Sequence, residues 1–136
     1  MIGIIGQGFV GNAVYQKFKN HFGVDTFDID PSISNATYDK VIQNKIIFIC
    51  LPTPMKKNGS CYLGIIEKVV EEMDTFIDLD NKPVVLRSTV PVGTAKSLNC
   101  YFMPEFLTEA NASLDFKNTD CWIFGLKEEN VQQNER

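Results

Sequence analysis

The sequence predicts an α/β domain built on a doubly wound, mostly parallel sheet with helices on both faces, and three observations carry that expectation. Apolar β-type runs alternate with amphipathic helical patterns along the chain, as happens when helices cross over between parallel strands. Some runs are unbroken, Ile46-Ile47-Phe48-Ile49-Cys50-Leu51 above all, which suits inner strands buried on both faces. A glycine-rich turn stands between the first run and the first helical pattern, at the carboxyl end of a strand where open α/β sheets place ligands.

The elements follow in order. Strands are expected over 1–5, 24–29, 45–51, 83–88, 100–103 and 121–124. Between the first two, Val10, Ala13, Val14, Phe18 and Phe22 recur at spacings near three and four, so one stripe of a helix faces the sheet. Asn58-Gly59 marks a turn, and the longest helix is expected over 62–79, where Leu63, Ile66, Val70, Met73 and Ile77 share a face. The 136 residues make one domain: residues 1–125 as the cofactor-binding unit, and 126–136 as a polar tail or the start of a linker to a C-terminal half.

Composition excludes several classes. No apolar run approaches the roughly 18–20 residues of a membrane span. Met1 leads straight into a strand with no basic segment or cleavage site, which gives the expectation of a cytoplasmic protein. The net charge is −4 with scattered Lys and Arg, which leaves no basic stripe for nucleic acid. The cysteines 50, 61, 100 and 121 form no CxxC pair, and His21 is the single histidine, so no metal site is expected. Cys50, Cys100 and Cys121 lie in apolar runs and read as small buried hydrophobes.

The chemistry begins at Gly6-Gln7-Gly8-Phe9-Val10-Gly11. In a strand–turn–helix setting Gly6 permits the tight turn, Gly8 lets backbone approach a pyrophosphate, and Gly11 allows close packing of helix on strand. The pyrophosphate would meet the unsatisfied N–H groups of the helix start. The second strand ends in Asp28-Ile29-Asp30, near the roughly 20-residue spacing of the acid that holds the adenosine ribose. Asp28 would accept from the ribose hydroxyls and repel the extra phosphate of NADP, so the expected cofactor is NAD in a Rossmann-type fold. Asp30 competes for that role, with a solvated turn aspartate before Pro31 as its alternative.

Leu51-Pro52-Thr53-Pro54 closes the third strand and Ser88-Thr89-Val90 the fourth, both at ligand-bearing ends. Their alternatives are a stiff turn and a helix N-cap. Pro104-Glu105-Phe106-Leu107-Thr108-Glu109 follows the fifth strand with two carboxylates four apart.

Taken together, the chain resembles the N-terminal NAD-binding domain of the UDP-glucose and GDP-mannose dehydrogenase family. The opening glycine motif is similar to that family's GxGYVG. Cys50-Leu51-Pro52-Thr53-Pro54 resembles its CVxTP, the run from Ser88 to Thr94 its STVPVGT, and the run from Pro104 to Glu109 its PEFLxE. The resemblance implies oxidation of a nucleotide sugar at its C6 hydroxyl to the uronate, with two NAD consumed and a thioester between the hydride transfers. UDP-glucose is the leading substrate. It implies that Glu105 activates the water that hydrolyses the thioester, that Thr89 positions water and substrate, and that Glu109 meets the nicotinamide end. Phe106 and Leu107 would line the sugar-nucleotide pocket. A helix-start carboxylate is the alternative for Glu105.

Departures accompany the matches. The family's cysteine block, its catalytic lysine and asparagine, and the central helix through which it forms homo-oligomers are absent from these residues, so the chain alone is expected to bind cofactor rather than turn substrate over. Met103 stands for the usual asparagine, Ala110 for a glycine, and Cys121-Trp122 for an arginine-bearing strand; the link from Thr94 to Pro104 is short. Two other classes remain open: a stand-alone NAD-binding module without catalysis, and a compact hydroxyacid dehydrogenase.

Overall fold

A computed structural model describes residues 1–127. Five short strands, β1 (Ile2–Ile5), β2 (Val24–Phe27), β3 (Ile46–Ile49), β4 (Val84–Leu86) and β5 (Tyr101–Phe102), form one sheet in the order β2-β1-β3-β4-β5. Every pairing within it is parallel. The helices are α1 (Phe9–Phe18), α2 (Tyr38–Ile42), α3 (Gly64–Asp74), α4 (Thr94–Ser97) and α5 (Ala112–Asn118).

The chain leaves β1 for β2 on one side and then returns to β3 on the other. That reversal opens a crevice between the carboxyl ends of β1 and β3, the place where such sheets bind ligands.

Alternation along the strands explains the two cores. One face carries Ile47, Ile49, Val84 and Leu86 against Val41 and Ile42 of α2 and Ile66, Val70 and Met73 of α3. The other carries Ile2, Ile4, Phe48 and Val85 against Ala13 and Val14 of α1 and Ala112 and Phe116 of α5. Helices therefore cover both faces, as the unbroken apolar runs require.

The edge at β2 is closed by side chains rather than by another strand. Asn35 donates its amide to the Val24 carbonyl at 3.0 Å and accepts the Thr26 N–H at 2.7 Å, while Ser34 Oγ accepts the Asp28 N–H at 2.8 Å. These bonds occupy an edge that would otherwise offer free backbone groups, and they fix the strand end that presents Asp28.

Some sequence expectations are corrected. The long helix is shorter than 62–79, since α3 ends at Asp74. Thr75 turns its hydroxyl back onto the Glu72 carbonyl at 2.7 Å, which favours helix termination, and Asp78 then accepts the Asp80 N–H in a local turn. Leu79 still reaches the core, 5% exposed. The run 121–124 is not a strand: its neighbourhood contributes only an antiparallel bridge between Gly125 and Phe102. Cys121 is accordingly exposed, whereas Cys50 and Cys100 are buried as expected. Leu126 and Lys127 apart, the expected tail over 126–136 lies outside the described residues.

Candidate dinucleotide site

The turn from β1 into α1 is set by backbone contact. Gly6 has φ +92°, and a Cβ there would lie 2.5 Å from the Cys50 carbonyl oxygen. A Cβ on Gly11 would lie 1.9 Å from the Gly6 carbonyl oxygen, so the first turn of α1 rests directly on the turn before it. Gly8 differs, because nothing stands within 4 Å of its Cβ position. The space beside Gly8 is kept open at the N-terminus of α1, which has no side-chain cap and no acidic residue in its first turn. Such a helix start offers unsatisfied N–H groups and a positive field to an anion.

Asp28 lies one residue beyond β2, half-buried. Its Oδ2 accepts the Gln7 N–H at 2.7 Å and its Oδ1 the Asp30 N–H at 3.0 Å. The first of these bonds ties the strand-end acid to the glycine turn. Each carboxylate oxygen retains a lone pair for a ribose hydroxyl. Asp30 is placed as a turn residue: exposed, it caps a short 3₁₀ turn through the Ser32 N–H and hydroxyl at 2.9 and 2.6 Å. Those hydrogen bonds hold its carboxyl below the usual range.

Gln7, Gly8 and Phe9 form one wall of a hollow of about 530 Å³, and Ser32, Ile33, Ser34 and Asn35 form another. The residues around it include no Lys or Arg. Sequence reading missed this hollow, because its outer wall is a turn that becomes a wall only when Asn35 and Ser34 bind the β2 edge. Of the other glycine-motif residues, Val10 packs against the α1 core, and Phe9 is 46% exposed at the helix start.

The loops after β3 and β4 are fastened to each other. Thr53 Oγ1 donates to the Thr89 carbonyl at 2.7 Å, and Ser88 Oγ donates to the Leu51 carbonyl at 2.6 Å. Ser88 is thus a loop fastener and not a helix N-cap; α4 starts later, on Gly93. Leu51 and Val90 pack against the α2–α3 core. Pro52 and Pro54 are exposed, and the Pro54 carbonyl accepts the Tyr62 N–H at 2.9 Å. Thr89 is exposed.

Glu105 is half-buried in a loop, not at a helix start, and its Oε1 accepts the Leu107 N–H at 2.6 Å. Leu107 packs toward the α1–α5 core, whereas Phe106 is 75% exposed. Glu109 is exposed and opens a 3₁₀ turn. Cys50 lies beneath the crevice, where burial pushes its thiol up to about 12 despite the nearby charge of Arg87. Burial likewise raises the Cys100 thiol to about 11. Neither is a ready thiolate at neutral pH.

The fold and the glycine turn define a dinucleotide-binding domain of the Rossmann type. The comparisons with known proteins make that class particular. The description "UDP-glucose/GDP-mannose dehydrogenase family, NAD binding domain" matches residues 32–136, and the chain belongs to this family. The matched span excludes the glycine turn, so the geometry of that turn is a separate line to a dinucleotide, and the family supplies NAD as the cofactor.

The chain is 34% identical over 104 residues to the GDP-mannose 6-dehydrogenase of Pseudomonas aeruginosa, a match covering 62% of this chain and 24% of that protein. It is 31% identical over 109 residues to the UDP-glucose 6-dehydrogenase YwqF of Bacillus subtilis, covering 69% of this chain and 24% of the relative. In structure it resembles a UDP-glucose dehydrogenase from the archaeon Pyrobaculum islandicum, with a TM-score of 0.80 at 21% identity over 97% of this chain and 42% of that one. The chain therefore spans about a quarter of these curated relatives.

Proposed function

We propose that this chain is the cofactor-holding part of a dehydrogenase that oxidises the C6 hydroxyl of a nucleotide sugar to the carboxylate, with UDP-glucose as the substrate and two NAD consumed per sugar. The observation that carries the reading is the fastening of the β3 and β4 loops to each other by the Thr53 and Ser88 hydroxyls. That fastening joins the segments resembling the family's CVxTP and STVPVGT motifs at the carboxyl ends of β3 and β4, and β3 is the neighbour of the strand that leads into the glycine turn.

In this reading Gly6, Gly8 and Gly11 shape the pyrophosphate seat, the start of α1 supplies its donors, and Asp28 holds the adenosine ribose. Bound NAD supplies the hydride acceptor. Thr89 orients the substrate and water from the end of β4, and Glu109 stands at the nicotinamide end. Phe106 and Leu107 bring their backbone to the sugar nucleotide. Glu105 acts as the base that takes a proton from the hydrolytic water, a role that requires it within hydrogen-bond reach of that water. Its bond from the Leu107 N–H fixes one carboxylate oxygen and orients the other.

The overall change is alcohol plus water plus two NAD⁺ to carboxylate plus two NADH and three protons. Its two oxidations are joined by a thioester on a thiolate; the buried thiols of Cys50 and Cys100 are raised and poorly suited to supply it, and neither the half-buried Cys61 nor the exposed Cys121 lies in a segment resembling the family's cysteine block. We therefore assign that thiol to the portion of the family's length that these 136 residues do not span.

The test joins this chain to the C-terminal half of a related enzyme and follows NADH production with UDP-glucose. The joined protein should form NADH, and Glu105→Gln should accumulate an acyl-enzyme that the parent clears. Steady NADH production by the 136-residue chain alone would contradict the assignment of the thiol, and an unchanged hydrolysis step in Glu105→Gln would contradict the base.

A further inference from the structure

A second hollow, of about 690 Å³, lies between the later part of α1, the turn that follows it, and α5. Lys17, Lys19 and Lys117 line it together with His21, Phe22 and Leu114, and no Asp or Glu does. In a chain of net charge −4 that is a local exception: the first acid in the sequence is Asp25, so α1 and the turn after it hold no carboxylate. The acid of α5, Asp115, is engaged elsewhere, its Oδ2 accepting the Thr108 N–H at 2.8 Å and the Thr108 hydroxyl at 2.6 Å. Among the described residues no ion pair engages the three lysines.

Two helices end beside this hollow, and a bare helix C-terminus would repel an anion. Neither end is bare. The Phe18 carbonyl of α1 accepts the His21 and Phe22 N–H groups at 2.9 Å each, and the Tyr15 carbonyl accepts the Lys19 N–H at 2.9 Å. At the end of α5 the Lys117 carbonyl accepts from Lys17 Nζ at 2.8 Å, so that terminus carries a cation. The Trp122 ring, 5.5 Å from the same ammonium, helps to hold it there. Phe22 packs T-shaped on Phe18 at 6.0 Å yet stays 53% exposed, so much of an aromatic ring borders the cations.

We propose that this hollow is a second nucleotide site, taking a nucleoside diphosphate with its phosphates on Lys19 and Lys117 and its base against Phe22. Ammonium groups without carboxylate partners draw a multiply charged anion, and an aromatic ring gives a face on which a base stacks. A simple anion uses the lysines alone, whereas a nucleotide uses lysines and ring together. The volume lies within the roughly 300–1,000 Å³ of small-molecule sites. Asn12 is the one residue that lines both this hollow and the one beside the glycine turn. Their characters are opposite, since the first includes no Lys or Arg and the second three lysines. The site does not depend on the roles assigned to Thr89 and Glu105.

Titration of the ¹⁵N-labelled 136-residue chain with ADP tests the site, because each amide reports its own surroundings. The amides of residues 17–22 and 113–117 should shift along one saturable curve with a Kd at or below about 1 mM. ADP also carries the groups that the glycine turn and Asp28 accept, so the amides of residues 6–9 and 28 are fitted as a separate group. In the double variant Lys19→Gln with Lys117→Gln, the first curve should weaken by at least about tenfold and the second should stay within about twofold. Both side chains are exposed, and Lys19→Arg with Lys117→Arg should retain binding. Phe22→Ala should reduce the affinity for ADP to that for inorganic phosphate.

Shifts confined to residues 6–9 and 28 would overturn the proposal and leave the lysines as solvated charges at helix ends. Undiminished binding in the Gln variant, or lost binding in a folded Arg variant, would overturn it too. Equal affinity for inorganic phosphate and ADP in the parent chain would mark an adventitious ion only. A polyglutamate peptide binding here at least about tenfold tighter than ADP would make the hollow a docking surface for acidic polypeptide and equally contradict a nucleotide site.

Discussion

The two sides of the crevice are built differently. On the β1–β2 side, the glycine turn is dictated by backbone packed against backbone: a Cβ at Gly6 or Gly11 would collide with a carbonyl oxygen, and Asp28 is bonded into the turn through Gln7. On the side of the later strands, the loops are joined by single hydroxyl-to-carbonyl bonds. Large apolar side chains stand in the open on both sides, Ile29 at 95% beside Asp28, and Met55 at 77%, Phe106 at 75% and Val92 at 107% in the later loops. The difference teaches that the cofactor wall is formed by the local chain itself. The opposite wall gathers its residues but does not enclose them, which agrees with a chain spanning only part of its relatives' length.

The sharpest way to break this contrast is at Gly11. With a Cβ forced to 1.9 Å from the Gly6 carbonyl, Gly11→Ala should destabilise the chain by about 3 kcal/mol or more, visible as a large fall in the urea midpoint. A midpoint close to that of the parent would show that the turn is not held as tightly as the packing implies.

Gly8→Val separates the two uses of glycine within the same turn. Its backbone, at φ −62° and ψ −169°, suits any residue, and a Cβ added there has no protein atom within 4 Å. The fold should survive while NAD affinity falls by at least about tenfold, or 1.4 kcal/mol, in a calorimetric titration. Unfolding of this variant would make Gly8 structural.

A smaller effect sits on the outer edge of the rigid wall. Burial would raise the Asp25 carboxyl, but hydrogen bonds from Lys40 and Asn44 and the charge of Lys40 outweigh it and hold the group below 3.8. A carboxyl depressed in the folded state contributes stability that is complete above its unfolded value of 3.8 and is lost as pH falls through the folded value. Lys40 is itself 60% exposed in its side chain, which weakens the pair. Lys40→Met should therefore cost at most about 1 kcal/mol at neutral pH. The cost should vanish in acid once Asp25 is protonated, as thermal unfolding across pH can show; a pH-independent difference would place the effect in packing.

The rigid wall was largely legible in the sequence. Gly6, Gly8, Gly11 and Asp28 declare themselves because strand, turn and helix follow one another within a short stretch and each residue type has a local reason. The short helices α2, α4 and α5 were not legible, since four to seven residues are too few to show a helical period. The run from Cys121 to Phe124 shows the opposite error. Its composition suits a strand, yet pairing depends on a neighbour, and only Gly125 finds one.

Arg87 was hidden for a related reason. A charged residue at the end of an apolar run reads as the point where a strand meets solvent, and it is Phe116, from a helix far along the chain, that buries it. Asn35 and Ser34 were equally silent, because a polar turn gives no sign in sequence of the strand edge it will cover.

The central claim is that the glycine turn and Asp28 form a ready seat for NAD. Calorimetric titration of the 136-residue chain with NAD and with NADP tests it most directly. The account predicts saturable binding of one NAD per chain, with NADP at least about tenfold weaker and that preference abolished in Asp28→Ala. Absence of NAD binding, or equal affinity for the two cofactors in the parent chain, would contradict it.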